Sequence, residues 1–198
     1  MIKNYKIIFI ISFFFSILFG NANSIEPDVF VQSTVNRAAE TLGGNLSKNQ
    51  RIQALKDIAN DTVDIKGIGF YSLGSHRKNI NNEQKEIYES VFKNYFLESF
   101  ASRLAEYSNP IISVDSKKII NENYTIVTST LAATDSRAAI KIEWRVYTKN
   151  KDKPLIRDLI IEGLSLARTQ KEEFNSIIQG ANGDINVLLE NLKNFSNS

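Results

Sequence analysis

The chain has no cysteine, one histidine, one methionine, one tryptophan and three prolines in 198 residues. Without cysteine there is no disulfide, no thiol nucleophile, no thiolate metal ligand and no attachment point for a lipobox lipid anchor. A Ser-His-Asp or Cys-His arrangement would have to use His76, and a zinc site would consist mostly of carboxylates. His76 stands in Gly74-Ser-His-Arg-Lys78, which reads as a polar loop. No glycine-rich phosphate cradle follows a strand; Gly67-x-Gly69 and Gly180-x-x-Gly183 read as turn or helix-end glycines. Asn45-Leu-Ser47, Asn60-Asp-Thr62 and Asn123-Tyr-Thr125 match a glycosylation acceptor pattern, which matters only in a eukaryotic source.

Long apolar runs are also scarce, with one exception at the start. Lys3 and Lys6 are followed by Ile7–Phe19, apolar apart from Ser12 and Ser16, and then by the small residues of Gly20-Asn-Ala-Asn-Ser24. This order of charge, short apolar segment and small-residue site reads as a secretory signal peptide cut after Ala22 or Ser24. A membrane-spanning helix needs about 20 apolar residues, more than this run supplies. The expectation is a leader over residues 1–24 and one soluble domain over 25–198, working outside the cytoplasm without ATP or NAD. Lys3 and Lys6 leave with the leader and no acid does, which levels the 24 basic side chains with the 22 acidic ones. A near-neutral domain lacks the footprint of a nucleic-acid binder.

What is plentiful is phenylalanine, with 12 in the chain. Pro27 opens a helical pattern through Phe30, Val31, Val35, Ala38, Ala39 and Leu42, stopped at Gly43-Gly44. Ser47-x-x-Gln50 is a capping box for a second helix with Ile52, Leu55, Ile58 and Ala59 inward. Residues 63–74 read as a short helix or turn. Asn81-x-x-Gln84 caps the longest helix, predicted to run to about Tyr107 before Pro110. Its apolar stripe is Ile87, Tyr88, Val91, Phe92, Tyr95, Phe96, Phe100 and Leu104, five of them aromatic. After Pro110 the period becomes two. Ile111–Ile119, Tyr124–Ala133, Ala138–Tyr147 and Pro154–Glu162 are predicted strands with short polar links, hence an antiparallel meander. Thr169-x-x-Glu172 and Asp184 are predicted caps of two closing helices. The plan is α+β, helices on a twisted four-stranded sheet, with a space between the long helix and the concave sheet face as the expected ligand site.

Two residue sets could carry function. Asp158 and Glu162 are four apart on the fourth strand, on one face with Ile156 and Ile160, and Arg145 or Lys141 could stand opposite. They read either as cross-strand ion pairs or as an acid/base pair in a small enzyme, an isomerase or hydratase, with a tyrosine. The aromatic stripe reads either as solid core or as the wall of an apolar cavity. Facing places Val91, Phe92, Tyr95, Phe96, Phe100, Leu131, Ile142, Trp144, Leu159 and Ile161 around such a cavity. Each buried methylene gains about 0.8 kcal/mol, so two sheltered acyl chains would gain on the order of 20 kcal/mol before binding costs. A third reading is an adaptor whose apolar groove takes a partner peptide.

Leu73-Gly74 with Arg77 and Gln84, then Asp158-Leu-Ile-Ile-Glu162-Gly163-Leu-Ser165-Leu166, Phe174 and Gly183-Asp-Ile185-x-x-Leu188, resemble the MlaC family over nearly the whole segment after the leader. His76 stands where family members often carry an aromatic. The resemblance implies a fold related to NTF2-like domains enclosing an acyl-chain pocket. It implies a periplasmic phospholipid-binding protein, and the leading reading is a non-enzymatic, monomeric carrier with no cofactor and no metal. The implied partners are an inner-membrane ABC transporter with an MlaD-type subunit and an outer-membrane MlaA-type lipoprotein complex. Arg77 is a candidate headgroup contact.

Overall fold

A computed structural model describes residues 24–196. The expected leader therefore lies almost wholly outside the described residues. No helix among the described residues is long and apolar enough to cross a membrane.

Six helices and five strands follow in the order α1 (Pro27–Gly43), α2 (Lys48–Thr62), α3 (Ile65–Ser72), α4 (Asn82–Leu104), β1 (Ile112–Asn121), β2 (Tyr124–Leu131), β3 (Ile140–Tyr147), β4 (Leu155–Ile161), β5 (Leu164–Ser165), α5 (Leu166–Gly180) and α6 (Ile185–Ser196). A 3-10 turn, Gly74–Lys78, joins α3 to α4. The sheet is a meander in the order β1-β2-β3-β4-β5, antiparallel throughout. The predicted α+β plan is the observed one, with a fifth, two-residue strand added to the predicted four.

Local chemistry accounts for most boundaries. Ser47 and Asn81 each close a capping box, with Gln50 and Gln84 as the reciprocal partners. α4 ends at Leu104, short of Tyr107, and Asn109 at φ 47° followed by Pro110 keeps the helix from resuming. α5 begins three residues before the predicted cap: Ser165 accepts the Arg168 N–H at 3.1 Å and is the true cap, while Thr169 donates its hydroxyl to the Ser165 carbonyl from within the helix.

The apolar interior divides. One core joins Ile65, Ile68, Leu73, Tyr88, Phe92, Leu97, Phe174, Ile178, Leu188 and Leu192, all from α3–α6 and the turn. A second joins Val31 and Val35 of α1 to Val127, Leu131, Ile142, Trp144, Val146 and Ile156 of the sheet. A small third one, Leu42, Leu55, Ala101 and Ala105, ties α1 and α2 to the end of α4. Val63 packs against both large cores.

Candidate functional site

The sequence pointed to a space between α4 and the sheet. In the structure α1, through Val31 and Val35, lies against the inner sheet face, and Lys117 of β1 bonds both Glu26 and Asp28 at the start of that helix. α4 makes its close approaches to α2, α3 and α6 instead. The ten proposed lining residues therefore do not form one cluster. Phe92, Val91, Tyr95, Phe96 and Phe100 belong to the helical core; Leu131, Ile142, Trp144 and Leu159 belong to the sheet core. Ile161 stands opposite Ile142 on the inner face but belongs to neither.

Burial separates them further. Phe92, Leu131, Ile142 and Trp144 are buried, and the Trp144 indole N–H donates to Ser129 Oγ at 2.8 Å inside the sheet core. Val91, Tyr95, Phe96, Phe100, Leu159 and Ile161 are half-buried. These six present apolar surface that the fold covers only in part. Phe96 and Phe100 stack with ring centres 5.7 Å apart and planes 9° apart. Tyr95 carries Phe195 of α6 edge-on at 5.0 Å and donates its hydroxyl to Gln170 Oε1 at 3.1 Å. Burial pushes the Tyr95 phenol above its ordinary pKa and does the same to Tyr88, whose hydroxyl donates to the Gly69 carbonyl. Both rings stay neutral, so this helix face carries no tyrosinate charge.

Two open grooves of about 460 and 310 Å³ lie along α1 and between α1 and α2. Their linings are mostly polar: Gln32, Ser33, Asn36, Arg37 and Glu40 in the first, Arg37, Glu40, Thr41 and Asp57 in the second. None of the ten residues takes part in either.

The carboxylates of β4 prove to be building parts. Asp158 is buried, accepting the Ser165 hydroxyl at 2.6 Å and the Ala167 N–H at 3.0 Å. It thereby fixes the cap and the first turn of α5. Of the two cross-strand partners expected, Arg145 stands opposite Asp158 at 3.9 Å, while the Lys141 ammonium pairs with Glu143 of its own strand at 2.8 Å. Glu162 leaves the strand at φ 49°, its Oε1 accepting the Lys141 N–H at 2.6 Å, and Gly163 follows at φ 84°. The glycine's freedom at positive φ is what lets the chain reverse into β5. Asp158 and Glu162 do not share a face with Ile156. Val146 pairs with Ile156 and Arg145 with Asp158, so Arg157 is an extra residue, a bulge that puts Ile156 with Leu159 and Ile161 on the inner face. No tyrosine hydroxyl bonds either carboxylate among the described residues; those of Tyr88, Tyr95 and Tyr124 bond elsewhere.

Arg157 itself was not singled out from the sequence. Its Nε donates to Asp64 Oδ2 and its Nη1 to the Tyr124 hydroxyl, both at 2.6 Å, while the guanidinium lies 3.5 Å from the Tyr147 ring centre. Asp64 in turn caps α3 by accepting the Gly67 N–H. This cluster holds the helical half to the sheet beside the Val63–Ile156 bridge. A regular period of two gives no signal for it. Arg77 is exposed on the 3-10 turn near the start of α4, and His76 is half-buried with Nε2 3.0 Å from Asn175 Oδ1. Phe96 lies fourteen positions into α4, about 21 Å of helix from its first residue, and the turn that carries Arg77 packs on α5.

Among solved structures the chain is similar to a phospholipid-binding protein from Ralstonia solanacearum, described in complex with a phospholipid. The superposition covers 87% of this chain and 97% of the other, with a TM-score of 0.73 and 18% sequence identity, which establishes a shared fold. A comparison with curated protein sequences returns no match. The MlaC protein family model matches residues 31–194, nearly the whole described chain from within α1 to within α6, and the protein belongs to that family.

Proposed function

We propose that this protein is a non-enzymatic carrier that shelters the acyl chains of a phospholipid and releases the lipid without changing it. The family match over residues 31–194 is the observation that carries the reading. The phospholipid in the structural relative supports it. So does the partly covered apolar surface of Val91, Tyr95, Phe96, Phe100, Leu159 and Ile161, which an acyl chain could complete. Because the halves are separate cores joined at Val63, the chains enter where those cores adjoin, and the two slide apart to admit them. The reading includes export to the periplasm behind a cleaved leader. It also includes action as a monomer between an inner-membrane ABC transporter with an MlaD-type subunit and an outer-membrane MlaA-type complex.

Native mass spectrometry of the purified protein, before and after organic extraction, tests the central step. The expected result is a bound phospholipid lost on extraction. Phe96→Asp and Ile161→Asp should each remove it, because a carboxylate cannot be desolvated beside an acyl chain without several kcal/mol of cost. Repeated preparations free of lipid, or full loading of both variants, would overturn the reading. A tyrosine and two free carboxylates in reach of one substrate would have favoured an isomerase or hydratase, but Asp158 and Glu162 are already held by the β4–α5 junction.

A further inference from the structure

Some of the surface cations are matched with acids. Arg37 pairs with Asp61, Lys48 with Glu106, Lys56 with Glu98, Lys66 with Glu89, and Lys117 with Glu26 and Asp28. On the surface shared by α3, the 3-10 turn and α5, four unmatched cations gather around one aromatic ring. Arg77 and Lys78 end the turn, both exposed. Lys171 of α5 lies across it: its Cε is 3.0 Å from where a Cβ on Gly74 would stand, and its Nζ is 5.4 Å from the ring centre of Tyr71. The His76–Asn175 contact ties turn to helix one helical turn further on. Arg168, three residues before Lys171, shares that side of α5 and is exposed. None of these four cations has an ion-pair partner among the described residues. Glu172, beside Lys171 in sequence, and Glu83 in the first turn of α4 are the flanking acids. Tyr71 is 42% exposed in the midst of the cations.

We propose that this surface docks the protein transiently on a bilayer carrying anionic phospholipid headgroups. Two arginine forks can each take a phosphate through paired N–H groups, and two lysines can lay apolar stems on the surface with their charges among headgroups. A half-exposed tyrosine suits the same depth, with its ring toward the acyl boundary and its hydroxyl toward water. A docked protein partner would need a buried aromatic or aliphatic anchor in a pocket. This surface offers charge on flexible stems instead, which is what adsorption to headgroups uses. The proposal does not rest on lipid carriage, and bound lipid measured in the same preparations keeps the two apart.

The test is co-sedimentation of the full purified protein with vesicles of pure phosphatidylcholine and of equal parts phosphatidylcholine and phosphatidylglycerol. Binding should be confined to the anionic vesicles and should fall as salt rises. Each cation removed should weaken it about fivefold, so Arg77→Gln with Lys171→Gln should weaken it roughly 25-fold. Arg77→Lys with Lys171→Arg should retain it. Lys78→Gln with Arg168→Gln, both at exposed positions, is the second pair should the first fail to fold. Lys149→Gln with Lys153→Gln, in a loop that includes Asp152, should leave binding nearly unchanged. No binding to anionic vesicles, equal binding to neutral ones, or equal loss in the loop variant would overturn the proposal.

Discussion

Gly69 is where the shortest helix touches the longest, and it decides how close they come. A Cβ there would stand 2.7 Å from Cδ1 of Phe92 and 3.0 Å from Cε1. Phe92 cannot move away: Tyr88 is stacked on it at 5.5 Å, Phe174 meets it edge-on at 6.1 Å, and it is 2% exposed. Alanine gains up to about 1 kcal/mol over glycine in a helix, but overpacking a rigid core costs about 1–3 kcal/mol. Gly69→Ala should therefore destabilise the protein, read as a lower urea midpoint at unchanged slope; a higher midpoint would show that the α3–α4 contact is loose. The sequence suggested a turn or helix-end role for Gly67 and Gly69 because glycine usually interrupts helices. Gly67 sits against the capping carboxylate of Asp64, three residues away, but the close approach at Gly69 depends on the Phe92 ring from another helix, which no local pattern displays. Asp158 is a second such case: the sequence offers it as half of an ion pair or of an acid/base pair, and its hold on Ser165 and Ala167 exists only because Gly163 turns the chain back. Asp158→Ala would leave the Ala167 N–H and Ser165 hydroxyl without their acceptor at a cost of about 1–3 kcal/mol. The expected signature is a lowered melting midpoint with lipid still bound in the folded fraction; selective loss of lipid at full stability would assign Asp158 to the site.

At the scale of the element, the capping boxes of α2 and α4 were the most legible features and strand pairings the least, while the cap of α5 fell at Ser165 and not at Thr169. Ser47, Asn81 and the long aromatic stripe of α4 follow from residues within one or two turns of each other. The β4 bulge does not, because an extra residue in one strand is defined only by its partner, and alternation alone puts Ile156 on the wrong face. The seating of α1 on the sheet is of the same kind. Its stripe of Val31 and Val35 resembles that of any amphipathic helix, and nothing local says which helix takes the sheet. The polar side of that seating is Lys117 between Glu26 and Asp28, at the entry of α1. The hydrogen bond from Lys117 holds Asp28 below the usual carboxylate range, and the two carboxylates hold Lys117 above the usual lysine range. A depressed acid contributes stability above its unfolded pKa of about 4 and loses it as the carboxylate is protonated. A raised base contributes below its unfolded value of about 10.4 and loses it as pH climbs beyond. The stability difference between the parent and Lys117→Gln should thus be level between these limits and shrink on both sides. Because the pair is partly exposed, it should also be small and reduced by salt. A difference independent of pH would mean that the lysine acts through its stem alone.

Considered whole, the molecule is two apolar cores held together by Val63, by the third cluster and by Arg157 between Asp64, Tyr124 and Tyr147. Packed interiors do not deform continuously, but the contact between two such interiors can open without unfolding either. Side chains that end each core half-covered, Phe96 and Phe100 on one and Leu159 on the other, gain the most from a guest. On the proposed reading, a lipid bound there would link the cores and stabilise the folded state by mass action, about 2.7 kcal/mol when free ligand stands at 100 times its dissociation constant. Hydrogen exchange before and after extraction of lipid reads this directly. The amides of the second half of α4 and of β3 and β4 should lose protection in the empty protein. Those at the α1–β1 contact, set by Lys117 and the Gln32–Val114 bond, should change little. Val63→Ala should lower protection in both halves of the loaded protein, since one side chain touches both cores. Uniform loss over the whole chain would place the lipid elsewhere or show a single unfolding unit, and no loss at all would remove the guest from the space between the cores.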